Sequence, residues 1–218
     1  PLKEEYEIYN KNIYVLPNFM DVDLWKKAEK VDNGNIVKIG WSGSTTHYDD
    51  LKEVVEVLED VVAEYPNVRL RFTGYYPEKL FSRIPKDRIE VGLSQPFDSY
   101  YKVLEPVDIN IAPIADTRFN EAKSAIKFLE ASMVGIPTVA SKVGPYKDAI
   151  IHGETGFVAK KYNDWRKSLG RLVENAKDRK EIGNNAKEYT MKNWTFDTNI
   201  WRWREAYMKI LENVRCGK

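Results

Sequence analysis

Lys123, Ser124, Lys127 and Glu130 are the residues whose types and spacing suggest chemistry. They lie in "FNEAKSAIKFLEASMVGIPTVAS", Phe119–Ser141, whose second half reads as a helix to Gly135, a turn and a short buried strand. A helix N-terminus carries partial positive charge, so a cation there costs about 0.3–1 kcal/mol. Two lysines at that point imply a compensating anion. Ser124 is the expected N-cap, leaving the amides of Ala125 and Ile126 free to face a ligand. Ile126, Leu129 and Met133 form the predicted buried stripe, which turns Lys123, Lys127 and Glu130 the other way. A solvated face with a Lys127–Glu130 pair would account for the same pattern. With an anion at the N-terminus, Glu130 would lie about 9 Å further along the axis at 1.5 Å per residue. There its carboxylate can accept from both hydroxyls of a ribose, and the implied ligand is a nucleoside diphosphate.

Two other segments are rich in small or turn-forming residues. "GWSGSTTH" (Gly40–His47) offers Gly43, Ser44 and free backbone amides to a phosphate, or serves only as a tight strand-to-helix turn with hydroxyl caps. It matches neither a dinucleotide fingerprint nor a Walker A loop. "SKVGPYKDAIIHGETGFVA" (Ser141–Ala159) returns the chain to the sheet. His47 and His152 are the two histidines, both read as surface or structural. No ligand cluster points to a metal, and no carboxylate pair has the spacing of a glycosidase couple.

These segments need a frame to converge, and the chain supplies one. "IVKIGW" (Ile36–Trp41), "VRLRFTG" (Val68–Gly74), "RIEVG" (Arg88–Gly92), "VDINIAP" (Val107–Pro113), Ile136–Ala140 and "TGFVA" (Thr155–Ala159) read as six strands. Helical signals separate them. In "DDLKEVVEVLEDVVAEYP", Leu51, Val54, Val55, Leu58, Val61 and Val62 recur at helical spacing, with Asp49 or Asp50 as the expected cap. "FDSYYKVLEP" reads as a further helix. Alternation of this kind predicts a Rossmann-like α/β fold, a doubly wound parallel sheet of about six strands with helices on both faces and a helical tail from Asp164. Ligands of such sheets bind at the carboxyl ends of the strands, where all three segments fall.

Composition narrows the partners. Lys+Arg 34 against Asp+Glu 33 gives a net charge of +1 over 218 residues, so no global field favours nucleic acid. Cys216, the single cysteine, has no internal partner for a disulfide, in keeping with a reducing compartment. No apolar run approaches the ~18 residues of a membrane span. The opening "PLKEEYEIYN" is charged and lacks an initiator Met, so a piece of a longer chain is expected.

In this order the segments resemble the C-terminal half of a GT-B-fold glycosyltransferase of family 4 (glycosyltransferase group 1). "NIYVLPNFMDVDLW" resembles that family's interdomain connector, "KFLEASMVGIPTVAS" its donor-binding helix and strand, "IIHGETGFVA" the following segment, and "NWTFDTNIWRWREAYMKIL" its closing helix. The resemblance implies three parts: a connector over 1–25, a nucleotide-sugar-binding domain over 26–193, and a crossover helix over 194–218. It implies retaining, metal-independent transfer from a UDP-, GDP- or ADP-linked sugar, with no other cofactor. The family's donor helix carries two glutamates. Glu130 matches the second, the ribose contact, whereas the first falls on Ala122. Glu121 or Asn120 is then the expected residue facing the donor sugar. An arginine and a lysine usually follow the family's first strand, and here that stretch has neither. Arg118, Lys123 and Lys127 are the available replacements. Backbone around Val91–Ser94, including Val91 and Leu93, matches the base-recognition region.

By the same resemblance a glycan or lipid-linked acceptor would bind through an absent N-terminal domain. The isolated half would transfer little, and the full-length enzyme would be cytoplasmic, peripheral to the membrane. The alternative is a non-catalytic nucleotide or nucleotide-sugar binding module on the same half-fold, favoured by the missing first glutamate. In the tail, Ile200, Trp203, Tyr207, Ile210 and Val214 form one apolar stripe, and Trp201, Met208 and Leu211 a second. A surface helix needs one, so the extra face predicts self-association.

Overall fold

The structure, a computed structural model, describes residues 1–215. Cys216 and the side chain of Val214 lie outside that description. Two short helices, α1 (Leu2–Tyr6) and α2 (Val22–Trp25), precede the sheet. The strands are β1 (Val37–Gly43), β2 (Val68–Gly74), β3 (Ile89–Gly92), β4 (Ile109–Ala112), β5 (Thr138–Ser141) and β6 (Phe157–Ala159). Between β1 and β2 run α3 (Tyr48–Lys52) and α4 (Val55–Glu64), and between β4 and β5 run α5 (Arg118–Glu121) and α6 (Ile126–Val134). Helix α7 (Tyr146–Ala149) precedes β6, and α8 (Tyr162–Glu174), α9 (Ala176–Asn193) and α10 (Phe196–Arg215) follow it.

All six expected strands form, in the order β3-β2-β1-β4-β5-β6, and every pair is parallel. Alternate residues face opposite layers, as the period of a strand requires. Val37, Ile39, Ile109, Ile111, Phe157 and Ala159 enter one core with Leu58 and Val61 of α4 and Leu169 of α8. Ala112, Ala140 and Val158 enter the other with Phe128 and Met133 of α6 and Ala186 of α9.

Helix α6 ends on Gly135 at φ 77°, whose amide bonds back to Ser132 O while Ile136 N bonds to Ala131 O at 3.0 Å. That double closure is the glycine-dependent C-terminal motif. A Cβ on Gly183 of α9 would stand 2.0 Å from Gly135 O, so α9 seats directly on this turn and fixes α6 along its length.

Three expectations change. The helix after β1 begins as a 3₁₀ turn over Thr45–His47 and breaks between Lys52 and Val55. Neither Asp49 nor Asp50 caps it, because Asp50 points inward and is buried. The segment after β3 is a 3₁₀ run, Phe97–Val103, rather than an α-helix. In the tail, the side of α10 facing the domain is Asn199 and Ala206, with Trp203 half-buried. Ile200, Tyr207 and Ile210 of the first stripe stay exposed beside Trp201, Met208 and Leu211 of the second. The segment before α2 meets the tail where Met20 N donates to Trp194 O (2.8 Å) and Phe196 N to Met20 O (3.1 Å). No helix among the described residues is long and apolar enough to cross a membrane.

Candidate anion site at the carboxyl edge of the sheet

Strand order reverses direction between β1 and β4, the point at which an open sheet leaves a crevice outside its carboxyl ends. The β1 side of that crevice is bare backbone. Gly43 pairs with Gly74, and a Cβ on Gly74 would sit 2.4 Å from Gly43 O. Side chains are excluded by the approach of the two strand ends, so the loop backbone itself lines the edge.

Asp50 ties the crevice together. Its side chain is 5% exposed, and its two oxygens accept from four donors. Oδ1 takes Ala115 N (2.8 Å), from the loop after β4, and Asn120 Nδ2 (3.0 Å) of α5; Oδ2 takes His47 Nδ1 (2.7 Å) and Lys123 Nζ (3.4 Å). Burial pushes the Asp50 carboxyl up. The bonds from His47, Ala115 and Asn120, together with the Lys123 charge, outweigh it and hold the group at about 2. Sequence reasoning read Asp50 only as a helix cap. The signal available was its position three residues after His47, one helical turn away.

Lysine placement follows from this network. Lys123 sits between Asp50 and the Phe119 ring, 5.2 Å from its centroid. Lys127 is no solvated cation. Its Nζ donates to Ser42 O and stands 5.4 Å from the centroid of the Trp41 ring. Burial pulls its ammonium pKa down, and the nearby Lys123 adds to that; Glu130 and Asp50 oppose. No Lys127–Glu130 ion pair occurs within 4.0 Å among the described residues, so the surface-pair account of this helix does not hold.

Glu130 opens onto a cleft of about 330 Å³ lined also by Asn18, Phe97, Tyr100, Ile126 and Trp203. Burial raises its carboxyl to about 7, with the Lys127 charge opposing. Beside it Tyr100 bonds Ser42 Oγ at 2.9 Å, and burial with the Glu130 charge lifts its phenol to about 12.

Other expected site residues are distributed as follows. Ala125, not Ser124, is the N-cap of α6; the Ser124 hydroxyl instead accepts from Asn18 Nδ2, in the segment before α2, at 3.0 Å. The amide of Ile126 opens the helix as expected. Asn120 is buried, with its amide donating to Asp50 and Ala115 O, so it does not face a sugar. Glu121 is exposed and lines a second cleft of about 610 Å³ with Lys123, Ser124 and Gly144. Gly144, at φ +51°, lets the loop after β5 approach, since a Cβ there would be 2.8 Å from Asn120 O. Arg118 is not brought to the lysines: as the first residue of α5 after the Thr117 cap it points outward and pairs with Glu5 of α1. Val91 and Leu93 are exposed around the end of β3, outside the lining of the Glu130 cleft, whereas Phe97 and Tyr100 line it. Gly43 and Ser44 stand at the end of β1 as expected, Ser44 Oγ bonding Thr46 Oγ1 at 2.7 Å. Among the described residues no three His, Cys, Asp or Glu side chains gather as metal ligands.

The family described as glycosyl transferases group 1 matches residues 23–189, well over half of the chain and the whole of this edge. The chain belongs to that family. It is 27% identical over 183 residues to the sulfoquinovosyl transferase SQD2 of Arabidopsis thaliana, covering 74% of this chain and 34% of that protein. It is 25% identical over 172 residues to the trehalose synthase of Pyrococcus horikoshii, with 74% and 40% covered. The chain thus spans about a third of the length of the first and two-fifths of the second. The same fold occurs in S. aureus TarM, solved with fondaparinux, α-GlcNAc-glycerol and UDP (TM-score 0.71, 18% identity, 95% of this chain and 42% of that one). The six-stranded parallel sheet with its helices is thus the fold of one domain of a GT-B glycosyltransferase, in a chain of the group 1 family.

Proposed function

We propose that this domain binds the nucleotide-sugar donor of a retaining, metal-independent hexosyltransferase that builds a polysaccharide or other glycoconjugate. The observation that carries the reading is Glu130, a carboxylate kept in a cleft where burial disfavours its charge, one helical stretch beyond a cation-flanked N-terminus. A charge held at such a cost points to use. Ribose hydroxyls donate to Glu130, while the diphosphate lies by the amides at Ala125 and Ile126 and by Lys123, with Gly43 and Ser44 across the crevice. Lys127, already bonded to Ser42 O, contributes its field more than a contact. Phe97 and Tyr100 take the place beside the base, next to the Val91–Leu93 edge. Glu121, exposed on the second cleft, is the group facing the donor sugar. A glycan or lipid-linked acceptor belongs to a second domain, so this half alone transfers little.

Titration calorimetry with UDP, GDP and ADP tests the reading. At least one should bind equally in EDTA and in magnesium, and Glu130→Ala should weaken it by roughly 10- to 100-fold, the loss of a charged acceptor. Binding abolished by EDTA, or indifferent to the substitution, contradicts it.

We also propose that the isolated chain self-associates through α10. Ile200, Trp201, Tyr207, Met208 and Leu211 are each between 48% and 58% exposed, and large apolar side chains left open on one side of a helix favour association. Light scattering over a concentration series should show mass rising with concentration, and Trp201→Ser should suppress the rise. A mass fixed at the monomer value contradicts the proposal.

A further inference from the structure

We infer that the second cleft, which α6 divides from the Glu130 cleft, takes the hydrocarbon chain of a lipid-linked acceptor. This inference rests on the sugar-transfer reading above and moves part of the acceptor site onto this domain.

Two neighbouring rows of α6 separate the clefts. Ile126 and Glu130, four residues apart, line the first, whereas the N-cap Ala125 and Leu129 line the second. Asn18 borders both and is tied to the Ser124 hydroxyl at the head of the helix. The second cleft is the larger, about 610 Å³ against about 330 Å³, a size ordinary for a small-molecule site. Its walls are apolar over Val15, Leu16, Leu129, Ala149 and Trp194. Val15 is 61% exposed, so one wall leaves a branched hydrocarbon in water. Phosphates and hydroxyls find no partner along such a surface. A hydrocarbon chain gains from it, by about fourfold in affinity for each methylene fully buried.

The rim specifies the other end of the ligand. Glu121, Lys147 and Asp148 stand exposed on it and form no ion pair among the described residues. Lys3 and Lys123, also on the rim, are taken up by Glu7 and Asp50. The free groups are mixed in sign. They offer acceptors and a donor to hydroxyls and no strong field to an anionic head. A hydroxylated head group on an apolar chain therefore matches both zones. Glu121 is also the residue assigned above to the donor sugar, so a head group on this rim stands beside the sugar to be transferred.

Alkyl glucosides below their micelle concentrations are the probes. Calorimetry with methyl, hexyl and octyl β-D-glucoside should show affinity rising about tenfold from hexyl to octyl, with methyl weakest. Val15→Asp puts a charge on the apolar wall and should remove the dependence on chain length, while nucleotide affinity stays unchanged and reports an intact fold. Trp201→Ser, on the exposed apolar side of α10, should leave the dependence in place. Octyl glucoside should still bind with the nucleotide at saturation. Equal affinity for all three glucosides overturns the inference while the nucleotide reading stands. So does a dependence that survives Val15→Asp or vanishes in Trp201→Ser, or displacement of octyl glucoside by the nucleotide. No binding of UDP, GDP or ADP by the wild-type chain overturns the acceptor role together with that reading.

Discussion

Glu130→Gln should make the protein more stable at pH 8 and a weaker nucleotide binder. Burial raises the Glu130 carboxyl from 4.5 to about 7 in the folded state. Below pH 4.5 the group is protonated whether folded or not and costs nothing. As pH rises through 7 the folded form must ionise in the cleft, and stability falls relative to the acid side. A shift of that size corresponds to at most about 3.4 kcal/mol. Glutamine keeps the shape without the charge. The variant should therefore lack the decline between pH 4.5 and 7 attributable to this group, and melt about 4–8 °C higher at pH 8. Melting curves of both proteins from pH 5 to 8 measure this. Parallel curves would mean that the cleft solvates the carboxylate and stores no charge for a ligand.

Asp50→Ala should be the most damaging single substitution at the sheet edge. Four donors converge on that carboxylate, and one of them, the Asn120 side chain, is buried with it. Removing the acceptor leaves that donor and the Lys123 charge unpartnered, a loss of about 3–5 kcal/mol. Asp50 is held at about 2 against a usual 3.8, so its contribution is complete above pH 3.8 and is lost as pH falls towards 2. That window corresponds to roughly 2 kcal/mol. Denaturant unfolding of the wild type at pH 7 and pH 2, beside Asp50→Ala at pH 7 and pH 2, gives both quantities. A variant within 1 kcal/mol of wild type would show that the network is not what joins the loops after β1 and β4.

The sheet was legible because its strands are short β-branched runs separated by helical periodicity, a signal that local sequence carries whole. Glu130 and the Ile126 amide were legible for a related reason: both follow from spacing along one helix. What was hidden depends on contacts between segments far apart in the chain. Asp50 meets Ala115 and Asn120 only after β4 is laid beside β1; its place one turn after His47 hints at that one partner but not at the others, while the neighbouring Asp49 stays exposed and pairs with Lys52. Ser124 has the ideal residue type for a cap but is drawn off by Asn18, 106 positions away. Arg118 and Asn120 sit in a stretch of suitable chemistry, yet the four-residue helix α5 turns one out to Glu5 and the other in to Asp50. On α10 the spacing was visible but not which stripe would lie down, since the docking side is set by Asn199 and Ala206.

Amide chemical shifts of the isotopically labelled chain, followed as UDP, GDP or ADP is added, test the central claim most directly. At least one nucleotide should move the resonances of Ala125, Ile126 and Glu130 together with those of Gly43 and Ser44, and leave α8 and the exposed face of α10 in place. Shifts confined to other surfaces, or none at these five residues with any of the three nucleotides, would contradict a nucleoside diphosphate site between β1 and α6.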